Sequence, residues 1–400
     1  MTDILYLAHD LSDAAVRRRV MMLVAGGARV TVAGFQRAAN VFVDDPEVPV
    51  IVLGHTADAR LGQRAAAVVL AAVSLRKKLA KVPRPKVIIA RNLEMLALAG
   101  RASMLLGGAI PIVYECLDIH RLMLDDGFKG NLLRRAEGYF GRDVRLLLTS
   151  SPAFVEEYFQ RRSKLSLPAL LLENKVLDLE GTALKPAARP PVPQAGEPWR
   201  IGWFGAIRCR KSLEILTEFA ARMEGRVEIV LRGRPAYSEF EDFDEQVRRA
   251  PHVEFHGAYR NPEDLEDIYS DVHFVWAIDF FEEGMNSEWL LPNRLYEGSL
   301  YGAVPIARAS TETGRFLVEL DAGMVVGNVT AADLVLAFRS MDVQRYHALS
   351  ERMGATDRTC WVTGRQECQA LVHQLAALYH ASALDPTFAV PSPIRSRGTP

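Results

Sequence analysis

Three groups of residues in this chain have types and spacings that could act on a phosphorylated, hydroxyl-rich ligand. The first lies in LPNRLYEGSLYGAVPIA, residues 291–307. Pro292 suits the first turn of a helix. Asn293 and Glu297 stand four apart and share a face, as do Gly298 and Gly302, whose small size lets the helix approach a neighbour or a ligand closely. Glu297 either stabilises the helix through its dipole or accepts hydrogen bonds on both oxygens from the vicinal hydroxyls of a ribose. The second group lies in IGWFGAIRCRKSLEIL, residues 201–216, where a strand ends at Gly205 and a helix begins near Ser212. Arg208, Arg210 and Lys211 fill the turn between them. Cations beside the unpaired N–H groups of a helix start suit a diphosphate; the plain alternative is a surface turn with solvated bases. The third is VYECLDIH, residues 113–120. Asp118 closes an apolar run and could serve as a general base, with His120 as a second base or an acceptor ligand. Otherwise the two form a turn that caps the next helix. His9 and Asp10 end the first apolar run, with Asp13 close behind, and are candidates for binding an acceptor.

These residues need a frame. Up to residue 175 the chain alternates helical stretches with the apolar runs 4–10, 29–35, 48–54, 86–92, 110–116, 145–150 and 169–174. The runs are rich in Val, Ile and Leu without polar alternation, as strands buried on both faces should be. LKPAARPPVPQAGEP, residues 184–198, holds five prolines and reads as a linker. The pattern then restarts with runs at 199–205, 226–233, 252–259, 272–278, 303–309 and 323–328. This predicts an α/β protein of two doubly wound, Rossmann-like domains, 1–183 and 199–356, facing a cleft. Ligands gather at the carboxyl ends of such strands. Residues 357–384 read as a C-terminal helix that packs back on the N-terminal domain, and 385–400 as a tail.

Composition narrows the classes. With 49% apolar and 24% charged residues in 400, two ordinary cores can be buried. No basic, apolar leader opens the sequence. The longest apolar run, Ala65–Leu75, is too short to span a bilayer, which takes roughly 20 residues. Cys116, Cys209, Cys360 and Cys368 show no ligand spacing and read as reduced cytosolic thiols. Asp125-Asp126 before Gly127 reads as a polar turn, so no metal site is expected. The net charge of −1 hides an asymmetry: residues 1–178 hold 25 Lys and Arg against 18 Asp and Glu. The bases show no aromatic interleaving of the kind that grips nucleic acid. An anionic membrane surface fits better, met peripherally through Arg76-Lys77-Lys78 and Arg17-Arg18-Arg19; a core helix with a solvated basic end is the alternative.

The segments WFGAIRCRKSLEIL, VEIVLRGRP, HVEFHGAYRNPEDLEDIYSDVHFVWAI and LPNRLYEGSLYGAVPIA, in this order, resemble the nucleotide-sugar half of GT-B glycosyltransferases. The resemblance implies that Arg208 and Lys211 bind the diphosphate of the sugar donor and Glu297 its ribose. It adds Gly205, Arg232, Asn293 and Arg294 to the same site. The family often carries a second glutamate eight positions before the first, where this chain has Trp289; Glu282, Glu283 or Glu288 could take that part. The N-terminal segment 5–35 is similar to bacterial exopolysaccharide enzymes of the succinoglycan type, and VYECLDIH resembles the site of the xanthan glucuronosyltransferases, which implies Asp118 as base. The resemblance therefore implies a metal-independent, inverting hexosyltransferase without a cofactor. It would use a nucleotide sugar, of the UDP type, and a lipid-linked saccharide acceptor at the cytoplasmic face of a membrane. A nucleotide-sugar epimerase of the same fold, or a non-catalytic nucleotide-sugar binder, is the alternative.

Overall fold

The computed structural model describes residues 1–37, 46–56, 61–182, 192–194 and 196–381. Most of the expected linker 184–198, and the tail 385–400, lie outside the described residues.

The first seven apolar runs become parallel strands: β1 (Thr2–Ala8), β2 (Ala28–Gln36), β3 (Val50–His55), β4 (Val87–Arg91), β5 (Ile112–Glu115), β6 (Val144–Thr149) and β7 (Ala169–Leu171). Their order is β3-β2-β1-β4-β5-β6-β7. The chain reverses direction across the sheet between β1 and β4, the switch point where the carboxyl edge opens a crevice. Crossovers are right-handed, so α1 (Ala14–Ala25), which leads from β1 out to β2, lies on one face. The helices α2 (Leu61–Lys78), α3 (Asn92–Leu105) and α5 (Phe128–Phe140), with the single turn α4 (Arg121–Leu124), lead the other way and cover the opposite face. Asp13 caps α1 by accepting from the Ala15 N–H at 2.8 Å. At its other end, a Cβ on Gly26 would sit 2.2 Å from the Cys368 carbonyl. That missing side chain lets the C-terminal helix Arg365–Ala381 pack on α1.

The second unit repeats the plan. After the short β8 (Val176–Leu177) come β9 (Trp199–Ile207), β10 (Val227–Pro235), β11 (Val253–Phe255), β12 (Phe274–Trp276), β13 (Val304–Arg308) and β14 (Met324–Val326), all parallel, in the order β11-β10-β9-β12-β13-β14. The last strand, β15 (Val362–Thr363), pairs with β8. The units divide at Glu173/Asn174 and Val362/Thr363. The first boundary falls ten residues before the expected 183, because β8, which starts at Val176, already belongs to the second unit. The second lies beyond 356, because Trp361 is buried among Tyr296 and Phe316 of the second core.

A buried ion cluster sits at the first switch point. Glu115, at the end of β5, is fully buried. Its carboxylate accepts from Tyr6 of β1, from Arg19 Nε of α1 at 2.5 Å and from Arg91 Nη1 of β4 at 3.3 Å. Burial pushes this carboxyl up, but Arg19, Arg91 and the tyrosine hydroxyl outweigh it and hold it below the ordinary range. Arg19 is therefore an internal counter-ion, and α1 packs on the C-terminal helix. This corrects the expectation that Arg17-Arg18-Arg19 forms a membrane-facing patch; of the three only Arg17 is exposed.

A group whose folded-state pKa is depressed contributes stability above its unfolded value and loses it as pH falls through the folded one. Glu115→Gln leaves two guanidinium groups without their carboxylate, so the transition of the first unit should weaken by about 3–5 kcal/mol at pH 7. Denaturant titrations should show the gap between wild type and variant narrowing below roughly pH 4.

Candidate active site

Toward the carboxyl edge of the second sheet two strands carry glycine, and β9 runs on to Ile207, two residues past the expected end at Gly205, because its ladder with β10 continues to Pro235. Gly205 of β9 and Gly233 of β10 are register partners with φ of 108° and 135°, which other residues rarely adopt. A Cβ on Gly233 would lie 1.9 Å from the Gly205 carbonyl oxygen. The two strands can pair this closely here only because Gly233 carries no side chain.

From this edge α6 (Arg210–Arg222) begins, two residues before the expected Ser212, with Cys209 as its cap. Arg208 thus precedes the cap and Lys211 lies in the first turn. Arg210 turns aside, donating to the Glu239 carbonyl at 3.1 Å. Arg208 lies 3.6 Å from the Asp279 carboxylate and over the Phe281 ring. Lys211 donates to Glu283 at 2.6 Å and covers the Phe280 ring. Arg308 joins the same Glu283 at 3.2 Å and approaches Glu288 at 3.8 Å. The segment after β12 therefore lays acids and aromatic rings against the cations. Arg294 donates to the Ile278 carbonyl at 2.8 Å. The Nε atoms of Arg232 and Arg294 are buried without a hydrogen-bond partner among the described residues.

Glu297 lies inside the helix Asn293–Leu300, which Pro292 caps from an extended conformation rather than joining its first turn. It is 7% exposed. One oxygen accepts from Asn261 Nδ2 at 2.9 Å, the other from the Tyr269 hydroxyl at 2.8 Å. Asn293 stands exposed at the helix start. Gly298 serves the neighbour rather than a ligand: a Cβ there would lie 2.5 Å from Val275 of β12. Tyr259 stands nearby, its phenol pushed up by burial and then by Glu297, and its hydroxyl is the nearest atom to the Cβ position of Gly205. Sequence reasoning missed Tyr259, Asn261 and Tyr269. Only their separation from Glu297 in sequence hid them, since nothing local marks a partner 28–38 residues away.

In the first unit, Asp118 is exposed three residues beyond β5. His120 Nδ1 accepts from the Leu122 N–H at 3.3 Å and so caps α4. Partial burial and then Arg64 lower its imidazole. Asp10 closes a turn, accepting from the Ser12 N–H at 2.9 Å and hydroxyl at 2.6 Å. Asp13, besides capping α1, accepts from Arg91 at 3.2 Å. His9 lies 3.7 Å from Asp13. A cavity of about 10 Å³, room for one water, is lined by His9, Arg37, Thr56, Arg64 and Glu94. Arg64 pairs with Glu94. These four neighbours of His9 come from separate strand and helix ends and carried no motif. Asp125 accepts from the Gly127 N–H at 3.1 Å and Asp126 pairs with Arg162 at 3.0 Å, forming a polar turn.

Two parallel Rossmann-like sheets of one strand order, each with polar groups at its carboxyl edge, define the GT-B architecture of glycosyltransferases. Residues 13–164 match the glycosyl transferase 4-like domain. The chain is 56% identical over 379 residues to the succinoglycan biosynthesis protein ExoL of Rhizobium meliloti (strain 1021), covering 94% of each, and belongs to its family. Its fold is also that of the sucrose-phosphate synthase of Thermosynechococcus elongatus, at a TM-score of 0.70 and 14% identity over 96% of this chain and 100% of that one. Anabaena HepE, solved in complex with UDP-glucose, matches at a TM-score of 0.60 and 16% identity over 96% and 98%. The chain is a glycosyltransferase.

Burial first, then Arg91 and Arg37, lowers the His9 imidazole to about 3. The unfolded chain takes up that proton near pH 6.5 while the folded chain does not. His9 should therefore stay neutral in proton NMR from pH 8 to 5, and its contribution to stability should fall over that range as pH is lowered. A His9 resonance titrating near 6.5 would contradict the packing described.

Proposed function

We propose that this glycosyltransferase moves a hexose, glucose in the first instance, from a UDP-sugar to a lipid-linked saccharide in exopolysaccharide assembly. It works without a metal, on the cytoplasmic face of a membrane. The observation that carries the reading is Arg208 and Lys211 at the start of α6, close to the Gly205–Gly233 pair of β9 and β10, with Glu297 held by two donors in the same unit. The ExoL relative takes part in succinoglycan biosynthesis, and HepE was solved with UDP-glucose. Among the described residues no helix is long and apolar enough to cross a bilayer; a lipid-linked acceptor is then met from the surface.

The chemistry follows from charge. The anomeric carbon becomes positive as the diphosphate leaves, and Arg208 and Lys211 stabilise the leaving charge. Arg232, Asn293 and Arg294 surround the nucleotide, and Glu297 accepts from the ribose hydroxyls. The acceptor, bound near His9, Asp10 and Asp13, loses its hydroxyl proton to Asp118 as it attacks. Attack from the side opposite the diphosphate inverts the centre and turns an α-linked donor into a β-glycoside. The capping bond of His120 favours Asp118 over it as the base.

Incubation with a panel of nucleotide sugars, with and without membrane lipid extract, should release nucleoside diphosphate from a UDP-hexose only when acceptor lipid is present. Release by every nucleotide sugar without lipid would contradict transfer. Lys211→Ala and Glu297→Gln should each weaken UDP binding in calorimetry by about 1.5–3 kcal/mol, the loss of one charge-assisted bond; unchanged affinity in both removes this site assignment. Asp118→Asn should slow turnover about 10²-fold with UDP affinity intact. Near-normal turnover, or an α-product by proton coupling, overturns the inverting mechanism.

A further inference from the structure

The three helices α2, α3 and α5 form one layer whose outer face is both apolar and basic. Arg64 of α2 pairs with Glu94 of α3 at their first turns, and Arg76 and Leu79 meet Leu105 and Leu106 at their far ends. The two helices therefore lie side by side and parallel, and α5 packs on α3. Although these helices are only 18, 14 and 13 residues long, they hold eight of the sixteen exposed large apolar side chains among the described residues. On α2, Val69, Leu70 and Val73 are 63–74% exposed; on α3, Met104 is 72% exposed; on α5, Phe128, Leu132 and Tyr139 follow one stripe at 54–79%. Scattered apolar residues on a surface need no explanation, but a contiguous patch marks an interaction site.

Charge identifies the occupant. The same helices carry eight Lys and Arg against two Glu. Glu137 is buried and Glu94 is paired with Arg64, so neither offsets the exposed bases Arg76, Lys77, Arg101, Lys129 and Arg135. A two-fold contact would set this patch against itself and bring like charges together, which argues against a second copy. At the basic end of α2 the surface dips into a groove of about 320 Å³ lined by Arg76 and Arg84 together with Leu79, Val82, Leu105 and Leu106. Guanidinium groups beside apolar walls suit a phosphate joined to an acyl chain.

We propose that the outer face of α2, α3 and α5 is the surface by which the protein lies on an anionic phospholipid bilayer. Leu70, Val73, Leu132 and Tyr139 enter the interface, and Arg76, Lys77 and Arg135 hold the phosphates. The proposal rests on the membrane reading given above and assigns it to one face. It excludes the basic face of α1.

Co-sedimentation with vesicles of phosphatidylcholine alone, and with added phosphatidylglycerol, tests it. The full chain should bind only the anionic vesicles, less in high salt. Each base near such a surface contributes roughly fivefold, so Arg76→Gln with Lys77→Gln should lose about 30-fold. Leu70→Ser with Leu132→Ser should lose at least as much, while Arg17→Gln on α1 should not change binding. UDP affinity and thermal melting report that each variant is folded. Wild-type binding that survives both double variants overturns the assignment and leaves the membrane reading standing. Failure of wild type to bind any vesicle overturns both. A shift to smaller mass on sizing in the apolar double variant would make the patch a contact between copies and likewise overturn the proposal.

Discussion

A carboxylate taken out of water must find donors, and the first unit is organised around how Glu115 does so. Its oxygens gather Tyr6 from β1, Arg19 from α1 and Arg91 from β4 onto the end of β5. Four elements are fixed to one another at the switch point of the sheet, and Arg91 passes the constraint on to Asp13, which starts α1. An isolated buried ion costs several kcal/mol, so none of these elements can shift alone. Glu137 solves the same problem differently. It accepts only hydroxyls, from Tyr114, Tyr158 and Ser163; burial prevails over them and its carboxyl is raised. Glu297 takes a third route, an amide on one oxygen and a phenol on the other.

The second unit shows the converse at its surface, where cations find acids. Arg208, Lys211 and Arg308 lie against Asp279, Glu283 and Glu288, all from the segment that follows β12. Partly exposed pairs of this kind contribute about 0–1 kcal/mol each. They are therefore weak enough to leave the cations open to another anion. The rings of Phe280 and Phe281 beneath Lys211 and Arg208 hold the cations as well, since a cation over an aromatic face is attracted without being neutralised.

The strands were legible in the sequence because burial on both faces leaves an unbroken apolar run, and all thirteen runs became strands of the two large sheets. Their ends were less legible. The run at 252–259 shortens to β11, Val253–Phe255, because Gly257 turns the chain at φ 75°. Arg208, Lys211 and Glu297 could be picked out from glycine, cation and helix-start signals within a few residues of one another. What Glu297 bonds with could not, since Asn261 and Tyr269 lie 36 and 28 residues away. Local pattern also misread Arg17-Arg18-Arg19 as one surface patch. A run of like charges on a helix spans both of its faces, and only the long-range contact with Glu115 reveals which of them turns inward.

The same helical geometry ties the surroundings of His9 to the exposed apolar face. Arg64, which lines the cavity beside His9, and Val73, on the outer surface, belong to one uninterrupted helix. At 1.5 Å per residue they are separated by about 14 Å along its axis. The ion pair of Arg64 with Glu94 anchors the first turn of α2 to that of α3 at the carboxyl edge, while Lys78 at its end donates to the Val52 and Leu53 carbonyls of β3 at 2.8 and 2.7 Å. A helix fastened at both ends cannot tilt independently of the sheet. Whatever rests on Val69, Leu70 and Val73 is therefore held at a fixed height relative to His9 and the carboxyl edge.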